Sequence, residues 1–255
     1  MSDIGRGQDY CFALPLLPGQ ANAANALWNE LKTEKSRDLD SYLHDLRILR
    51  LLVFTQSLPD GEFFVTFLTT NTELKNVYIS AEEQGSTMSK YLIERYDKLT
   101  GMDFTDSRNL PQLERLRYWE DEERPGLASI CSAFAIPIKP GKTDNVRRFF
   151  QTILSGEIGD ETPIFRYQTV EKMESFLQRR PEGDYLVEYV ESAKPIREVM
   201  RMGLGSGMPL SDYIRKEFSG FCGLQLPLAP NIRLLFDWRT GEIQQSNTSG
   251  MAHIS

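Results

Sequence analysis

The sequence pattern of residues 12–104 is repeated 122 positions later, at residues 134–226, with no net insertion or deletion. Residues 12–19 share five of their eight amino acids with residues 134–141, whereas ordinary composition gives about one identity in fifteen positions. The same offset aligns residues 59–65 with residues 181–187. A repeat of this length has the size of a domain rather than of a solenoid unit. The chain is therefore predicted to be a tandem duplication of one folding unit.

Both copies predict the same order of secondary structure. Apolar first strands at residues 11–17 and 130–138 are each stopped by a Pro-Gly turn. A helix follows in each copy, because apolar residues recur at i, i+3, i+4 and i+7. In the two copies these residues are Ala24, Leu27, Trp28 and Leu31, and Val146, Phe149, Phe150 and Ile153.

A β-hairpin is predicted after the helix, followed by a second helical region and a last strand. The hairpins pair residues 46–56 with 62–70 and residues 169–178 with 184–191. The later helices are centred on residues 89–98 and 211–218, and the last strands open at Gly101 and Gly223. The resulting order, βαββαβ, is that of the ferredoxin-like split motif.

The predicted organisation has four parts. They are a first unit (residues 8–106), a linker (107–129), a second unit (130–240) and a flexible tail (241–255). Residues 105–125 are compatible with either a short helix or an extra strand, and both alternatives stay open. Residues 232–238 alternate well enough to predict an added edge strand.

The hairpin strands are apolar on both faces, which constrains how the two units pack. In the first unit Phe63, Val65 and Phe67 alternate with Phe64 and Leu68. Two-sided burial requires a second layer beyond the helices. We therefore expect an α+β fold in which two tandem ferredoxin-like units pack sheet to sheet about a pseudo-twofold axis, as an intramolecular α/β barrel.

The overall charge argues against a nucleic-acid partner. The net charge is -7 and the pI is about 5.1, whereas a phosphate-tracking surface requires clustered Lys and Arg. No segment approaches the roughly 18 apolar residues that span a bilayer, and the first residues are polar without an apolar run behind them. We therefore expect a cytoplasmic protein without a nucleic-acid or membrane partner.

The strand-Pro-Gly-helix opening and the second hairpin, residues 173–178 with 182–187, resemble the dimeric α/β-barrel superfamily. The closest likeness is to uncharacterised proteins that consist of a single ferredoxin-like unit. The resemblance implies the fold, and a ligand held between sheet and helices. It also implies a range of activities: cofactor-free antibiotic-biosynthesis monooxygenases, polyketide cyclases, muconolactone-type isomerases and tandem-unit haem enzymes. Fold alone does not choose among these activities.

The sequence predicts neither a cofactor nor a metal. A haem enzyme of the implied kind needs an axial histidine from the second unit, where only His253 in the predicted tail is available. His44 is the other histidine of the chain, and no Cys-x-x-Cys or His-x-x-x-His spacing is present. A nucleophile relay would have to recruit His44, which is predicted to be a solvated loop residue.

Differences between equivalent positions of the two copies point to a candidate site. Glu174 aligns with Leu52, and Glu188 aligns with Thr66. Both carboxylates are predicted to project from otherwise apolar faces of neighbouring strands, where desolvation raises the pKa of a carboxyl group towards neutrality. They are therefore the catalytic candidates. In the other interpretation, the two faces are partly exposed and Lys172, Arg166 or Arg201 pairs with the carboxylates.

Several further residues are candidates for contacts with a substrate. Tyr185 and Tyr189 either present hydroxyl groups to a ligand or pack in the sheet, as their counterparts Phe63 and Phe67 do. A glycine-rich segment, residues 203–207, is flanked by methionines that suit a mobile flap over an apolar cavity. The remaining candidates are Met200, Met202, Arg166, Tyr78 and His44.

Two classes of function follow. The first is a cofactor-independent cyclase, isomerase or monooxygenase that acts on a small, largely apolar organic substrate, with secondary metabolism as the setting that the resemblance implies. The second is a non-catalytic ligand-binding or scaffold protein, in which the duplication replaces a homodimer. A closed pocket that contains either glutamate favours the enzyme. The expected assembly is a monomer with an internal pseudo-dimer, or a homodimer.

Overall fold

The computed structural model describes residues 7–59, 61–222 and 231–240. The described chain forms two four-stranded antiparallel sheets with helices packed on them, and so the predicted α+β fold of two tandem ferredoxin-like units is confirmed. Both predicted first helices are present and bury the predicted faces. Each predicted helical region contains two helices rather than one. Among the described residues, no helix is both long and apolar enough to cross a bilayer.

Among the described residues, the first half of the chain contains four strands, four α-helices and one 3-10 helix. In chain order they are β1 (Gln8–Pro15), α1 (Ala21–Thr33), α2 (Ser36–Asp45), β2 (Ile48–Leu58), β3 (Gly61–Thr70), α3 (Leu74–Gln84), α4 (Thr87–Thr100), a 3-10 helix (Ser107–Asn109) and β4 (Gln112–Glu120). The second half repeats this order. Its elements are β5 (Ile130–Pro137), α5 (Thr143–Leu154), α6 (Thr162–Tyr167), β6 (Val170–Arg179), β7 (Tyr185–Ser192), α7 (Ile196–Gly205), α8 (Pro209–Phe221) and β8 (Asn231–Arg239).

The fourth strands are exchanged between the two sheets. The first sheet has the order β1-β3-β2-β8, and the second has the order β4-β6-β7-β5. Residues 105–125, for which the sequence allowed either a short helix or an extra strand, contain a strand, β4, at the edge of the second sheet. The edge strand predicted at residues 232–238 is present as β8, in the first sheet. Each half of the chain therefore completes the sheet of the other half.

The prediction that a strand begins at Gly101 is wrong. Gly101 ends α4 with a φ of 68°, a left-handed conformation that glycine adopts without steric cost, and the next strand begins only at Gln112. The chain needs these intervening residues because β4 has to reach the far sheet. The corresponding prediction at Gly223 lies outside the described residues.

The two sheets pack face to face through an apolar core. This core contains Cys11, Ala13, Leu52, Phe54, Phe63, Val65, Phe67, Ala133, Ala135, Phe176, Val187 and Tyr189. Phe67 and Tyr189, which are equivalent under the 122-residue offset, stack with their ring centroids 3.6 Å apart. Alanines in the first strands of both units allow the sheets to approach closely. The helices cover the outer faces and enclose a separate core in each unit.

Candidate functional site

A cavity of about 90 Å³ lies in the second unit, between the outer face of its sheet and helices α5, α6, α7 and α8. Most of its wall is aromatic or aliphatic, and one strand residue, Glu188, contributes a carboxylate. The apolar wall includes Ile136, Phe149, Phe150, Ile153, Ile164, Phe165, Val170, Met173, Val190, Val199, Met200, Leu204, Ile214 and Phe218. An ionisable group in such a wall is a feature of ligand sites.

Glu188 belongs to a buried polar cluster at the wall of this cavity. Ser175 Oγ donates a hydrogen bond of 2.8 Å to Glu188 Oε2. Arg117 donates to Ser175 Oγ through Nε at 3.2 Å and Nη2 at 3.0 Å, and its Nη2 is also 3.4 Å from Glu188 Oε2. On the other side, Arg117 Nη1 is 3.4 Å from Glu161 Oε2. The cluster therefore joins β4, β6, β7 and the residue that precedes α6.

Burial shapes the electrostatics of this cluster. Glu188 and Arg117 are only 4% and 6% exposed. Burial raises the pKa of Glu188 to about 7, although Arg117 and Ser175 act in the opposite direction. Burial likewise raises the pKa of Glu161, against the attraction of Arg117. Glu188 can therefore exchange a proton near neutrality.

Two aromatic rings hold the Arg117 guanidinium in place. Its central carbon is 5.1 Å from the ring centroid of Phe150 and 5.3 Å from that of Phe165. Cation–π contacts of this kind become stronger when the cation is desolvated. Because its donors also bind Ser175, the guanidinium keeps a fixed orientation towards Glu188.

The equivalent positions of the first unit carry no such cluster. Under the 122-residue offset, Glu188, Ser175 and Glu161 correspond to Thr66, Val53 and Leu39. In the second sheet Arg117 of β4 is the cross-strand partner of Ser175, and in the first sheet Phe236 of β8 is the cross-strand partner of Val53. Phe236 therefore occupies the place in the first sheet that Arg117 has in the second. The polar cluster is therefore specific to the second unit.

Glu174 lies on the opposite face of the same sheet. It is paired with Tyr189, whereas Glu188 is paired with Ser175, and side chains alternate between faces along a strand. Glu174 is wholly buried between the two sheets, 3.0 Å from Lys172 Nζ, and neither of its oxygens accepts a hydrogen bond of normal geometry. Burial raises its pKa. The two candidate carboxylates thus do not share one site.

The two candidate tyrosines also face the sheet-to-sheet core. Tyr189 stacks on Phe67, and its hydroxyl donates a hydrogen bond of 2.6 Å to Glu191 Oε1. Tyr185 packs edge-on against Phe63, with ring centroids 5.6 Å apart. Neither tyrosine lines the Glu188 cavity.

The remaining candidates are dispersed. Arg166 binds Asp121 and Glu123 at the surface of the second unit. His44 is exposed in the last turn of α2, so its prediction as a loop residue is wrong, because α2 extends to Asp45. Tyr78 lines a cavity of the first unit.

The predicted methionine candidates lie on α7. Met200 lines the Glu188 cavity, whereas Met202 is not part of its wall. The glycine-rich segment begins inside this helix, which extends to Gly205. A Cβ added at Gly203 would lie 2.1 Å from Gln168 Nε2, which donates to the Val199 carbonyl. A larger residue at position 203 would therefore displace the Gln168 side chain and its hydrogen bond to Val199.

Sequence reasoning missed Arg117, Ser175 and Glu161. Arg117 lay in the segment that the sequence left open. A second alignment could have revealed it, because β4 and β8 match with an offset of 119 positions, from Gln112 to Asn231, and share a leucine and a tryptophan in register. Ser175 and Glu161 could have been found from their apolar counterparts under the first offset.

Among the described residues, no group of three or more His, Cys, Asp or Glu side chains is arranged to hold a metal ion.

Comparison with known proteins adds no family assignment. No protein-family model matches the sequence, and no curated protein matches it. Among solved structures, the chain is similar to a candidate monooxygenase from Fusobacterium nucleatum subsp. nucleatum ATCC 25586, with 10% identity over 92% of this chain and 94% of that one, at a TM-score of 0.47. It is also similar to an anthrone oxidase-like protein, with 11% identity over 95% of this chain and 97% of that one, at a TM-score of 0.49. At these values the likenesses carry no argument about activity.

Proposed function

We propose that the second unit is a cofactor-independent enzyme that removes a proton from a small, largely apolar organic substrate, with Glu188 as the general base. The observation that carries this proposal is a carboxylate with a pKa of about 7 in the wall of an otherwise apolar cavity. A base with a pKa near the working pH is suited to proton transfer. The absence of the cluster from the first unit supports a role other than holding the fold together.

The charge arrangement suits formation of a substrate anion. Ser175 and Arg117 both contact Oε2 of Glu188, and so we assign proton transfer to Oε1. When Glu188 takes the proton it becomes neutral, and the negative charge passes to the substrate. Arg117 then stabilises that anion in a site shielded from water. The number of negative charges near Arg117 stays the same throughout the step.

The anion can react in three ways that correspond to the predicted activities. Return of the proton to a different atom gives an isomerase, and attack on a carbonyl group of the same molecule gives a cyclase. Reaction of an anion formed at a CH2 carbon with dioxygen as co-substrate gives a hydroperoxide after protonation, and loss of water from it leaves a carbonyl group, which is the reaction of a monooxygenase. Proton removal is the step common to all three reactions, and it can be tested before the substrate is known.

The alternative is a non-catalytic protein that binds a small ligand. The observation that favours it is the mutual pairing of Arg117, Ser175, Glu188 and Glu161, which already stabilises these groups without a substrate. A carboxylate that serves only as a partner of Arg117 would not accelerate proton exchange.

The two functions separate in a deuterium-exchange experiment. The full-length protein is incubated in D₂O at pD 8 with a panel of ketones that have acidic C–H bonds, from butanone to 2-indanone, and loss of the C–H signal is followed by NMR. We expect the wild type to accelerate exchange for at least one ketone, and Glu188→Gln to abolish the acceleration. Equal rates for the wild type and Glu188→Gln, or no acceleration of any ketone, would contradict the proposal.

Glu174→Gln is the matched control. It removes the charge of the other buried carboxylate, which lies on the opposite face of the sheet and does not line the cavity. We expect it to retain exchange. A loss in Glu174→Gln equal to that in Glu188→Gln would point to general disruption of the fold instead of to a base.

A further inference from the structure

A second cavity lies in the first unit, in the place equivalent to the Glu188 cavity. Its volume is about 160 Å³, and it is enclosed by the outer face of the first sheet and by helices of the same unit. Where the second unit has Glu188, this cavity has Thr66. An apolar cavity of about 150 Å³ in a protein interior is large enough to bind benzene. The first unit therefore has room for a single aromatic ring.

Trp28 is part of the wall of this cavity and carries a hydrogen-bond donor that is left without an acceptor. Trp28 is only 3% exposed, and its indole Nε1 makes no hydrogen bond. The nitrogen is near the Tyr96 hydroxyl, but the geometry does not give a bond. Leaving a buried N–H unpaired is costly, and an acceptor that arrived with a ligand would remove this cost.

Tyrosine hydroxyl groups add further donors at the same place. Tyr42, Tyr78 and Tyr96 all line the cavity. Burial raises the pKa of Tyr78 and Tyr96 well above the ordinary value, so both hydroxyls stay protonated and able to donate at any physiological pH. Thr66 and the exposed Glu82 also belong to the wall, and the Glu82 carboxylate disfavours an anionic ligand. Donors that converge in a mainly apolar cavity select a neutral ligand with an acceptor at one end.

We propose that the first unit binds a neutral, single-ring aromatic molecule through a terminal hydrogen-bond acceptor that pairs with Trp28 Nε1. The ring occupies the apolar part of the cavity, and the tyrosines border the acceptor. This site has no carboxylate at the position of Glu188, so it binds its ligand without transferring a proton to that position. It does not depend on the function proposed for the second unit.

The test uses benzonitrile as the probe and phenylacetylene as its isostere without a nitrile acceptor. The chain has three tryptophans, whose indole N–H signals can be separated in an ¹⁵N-labelled full-length protein, with Trp28→Phe identifying the Trp28 signal. We expect benzonitrile to move the Trp28 signal downfield in a saturable manner. Phenylacetylene should bind without a downfield shift.

Affinities of the two probes are measured by calorimetry with Ile214→Phe as a common background. Ile214 lines the Glu188 cavity and is equivalent to Leu92, which lines the cavity of the first unit. Ile214→Phe therefore closes the Glu188 cavity and leaves the cavity of the first unit open. In this background we expect Trp28→Phe to raise the Kd of benzonitrile about fivefold more than it raises the Kd of phenylacetylene. Loss of one hydrogen bond of about 1 kcal/mol predicts a change of this size.

The location of the site is tested with Leu92→Phe, which should abolish the shift of the Trp28 signal. If Leu92→Phe does not fold, Ala81→Leu narrows the same cavity. No Trp28 shift up to the solubility limit of benzonitrile would overturn the proposal. So would a shift that survives closure of the cavity in a folded variant, or equal effects of Trp28→Phe on both probes.

Discussion

The side-chain amide of Gln56 forms two hydrogen bonds with the backbone of Ala135, in the opposite unit. Ala135 N donates to Gln56 Oε1 at 2.7 Å, and Gln56 Nε2 donates to the Ala135 carbonyl at 2.9 Å. Gln178 binds both backbone groups of Ala13 in the same way, at 2.7 Å and 2.8 Å. Because β1 and β5 are edge strands, these glutamines supply the partners that a neighbouring strand would otherwise supply.

Gln56→Leu is therefore expected to destabilise the whole protein. It leaves two buried backbone groups of Ala135 unpaired, which costs about 2 to 4 kcal/mol in the free energy of unfolding. Urea denaturation measures the change. Gln112→Leu, at an exposed position of β4, is the matched control and should change stability by less than about 0.5 kcal/mol. Equal effects of the two substitutions would mean that the amide bridge is unimportant.

Thr169→Gly is expected to stabilise the protein. Thr169 has a φ of 60°, a left-handed conformation unfavourable for a β-branched residue, and its buried hydroxyl has no hydrogen-bond partner. Arg47, at the equivalent position, has a φ of 59°. We expect a gain of about 1 kcal/mol from Thr169→Gly. Thr169→Ala keeps the Cβ and should gain less; a larger gain from alanine would contradict the backbone explanation.

Glu174→Leu is expected to stabilise the protein increasingly as the pH rises. Because the pKa of Glu174 is raised in the folded state, that state holds a proton which the unfolded chain has released above about pH 4.5. Wild-type stability should therefore fall as the pH rises through this window, whereas Glu174→Leu avoids the loss. Leu52 already fills the equivalent place in the first unit.

The measurement is urea denaturation of the wild type and Glu174→Leu at pH 5 and pH 8. The difference in stability between them should grow by about 1 to 3 kcal/mol over this interval. Glu122→Leu, at an exposed position, should show no comparable growth with pH. A difference between the wild type and Glu174→Leu that is independent of pH would show that Glu174 titrates normally.

The proton exchange proposed for Glu188 should depend on pH in a defined way. A base must be ionised, so the rate should rise through a pH of about 7 and level off above it. Ser175→Val removes a donor that favours the ionised form, and should move this rise to higher pH. Val53 shows that valine fits the equivalent position. If the rate of Ser175→Val rises at the same pH as that of the wild type, Ser175 does not influence the pKa of Glu188.

Arg117→Phe is expected to destabilise the protein at pH 8 by about 3 kcal/mol, because it leaves the buried Glu188 without its cation. Phe236 of β8 occupies the corresponding position in the first sheet. Adding Glu188→Thr, Ser175→Val and Glu161→Leu gives all four cluster positions the residues found at the equivalent places, and should recover stability to within about 1 kcal/mol of the wild type. Chemical denaturation of the single and quadruple variants tests this coupling. Failure of the quadruple variant to recover stability would mean that Arg117 acts mainly through Phe150 and Phe165.

The repeat made much of the fold predictable. Hydrophobic spacing located the hairpins and the buried faces of α1 and α5 to within a few residues, because local periodicity reports which face of an element is covered. It did not predict that β4 and β8 would exchange sheets. Strand exchange depends on which edge each fourth strand can reach in the assembled molecule, and an isolated segment carries no record of this.

The sequence by itself determined the duplication, the order of elements, and the fact that Glu174 and Glu188 replace apolar or neutral residues of the first copy. Only the tertiary structure decided what these glutamates face. The pairing of Glu174 with Tyr189, and of Ser175 with Glu188, places one carboxylate between the sheets and the other against the helices. Because side chains alternate along a strand, the register of the hairpin makes this assignment, and a shift of one residue would reverse it. Arg117 reaches Glu188 only because β4 joins the second sheet.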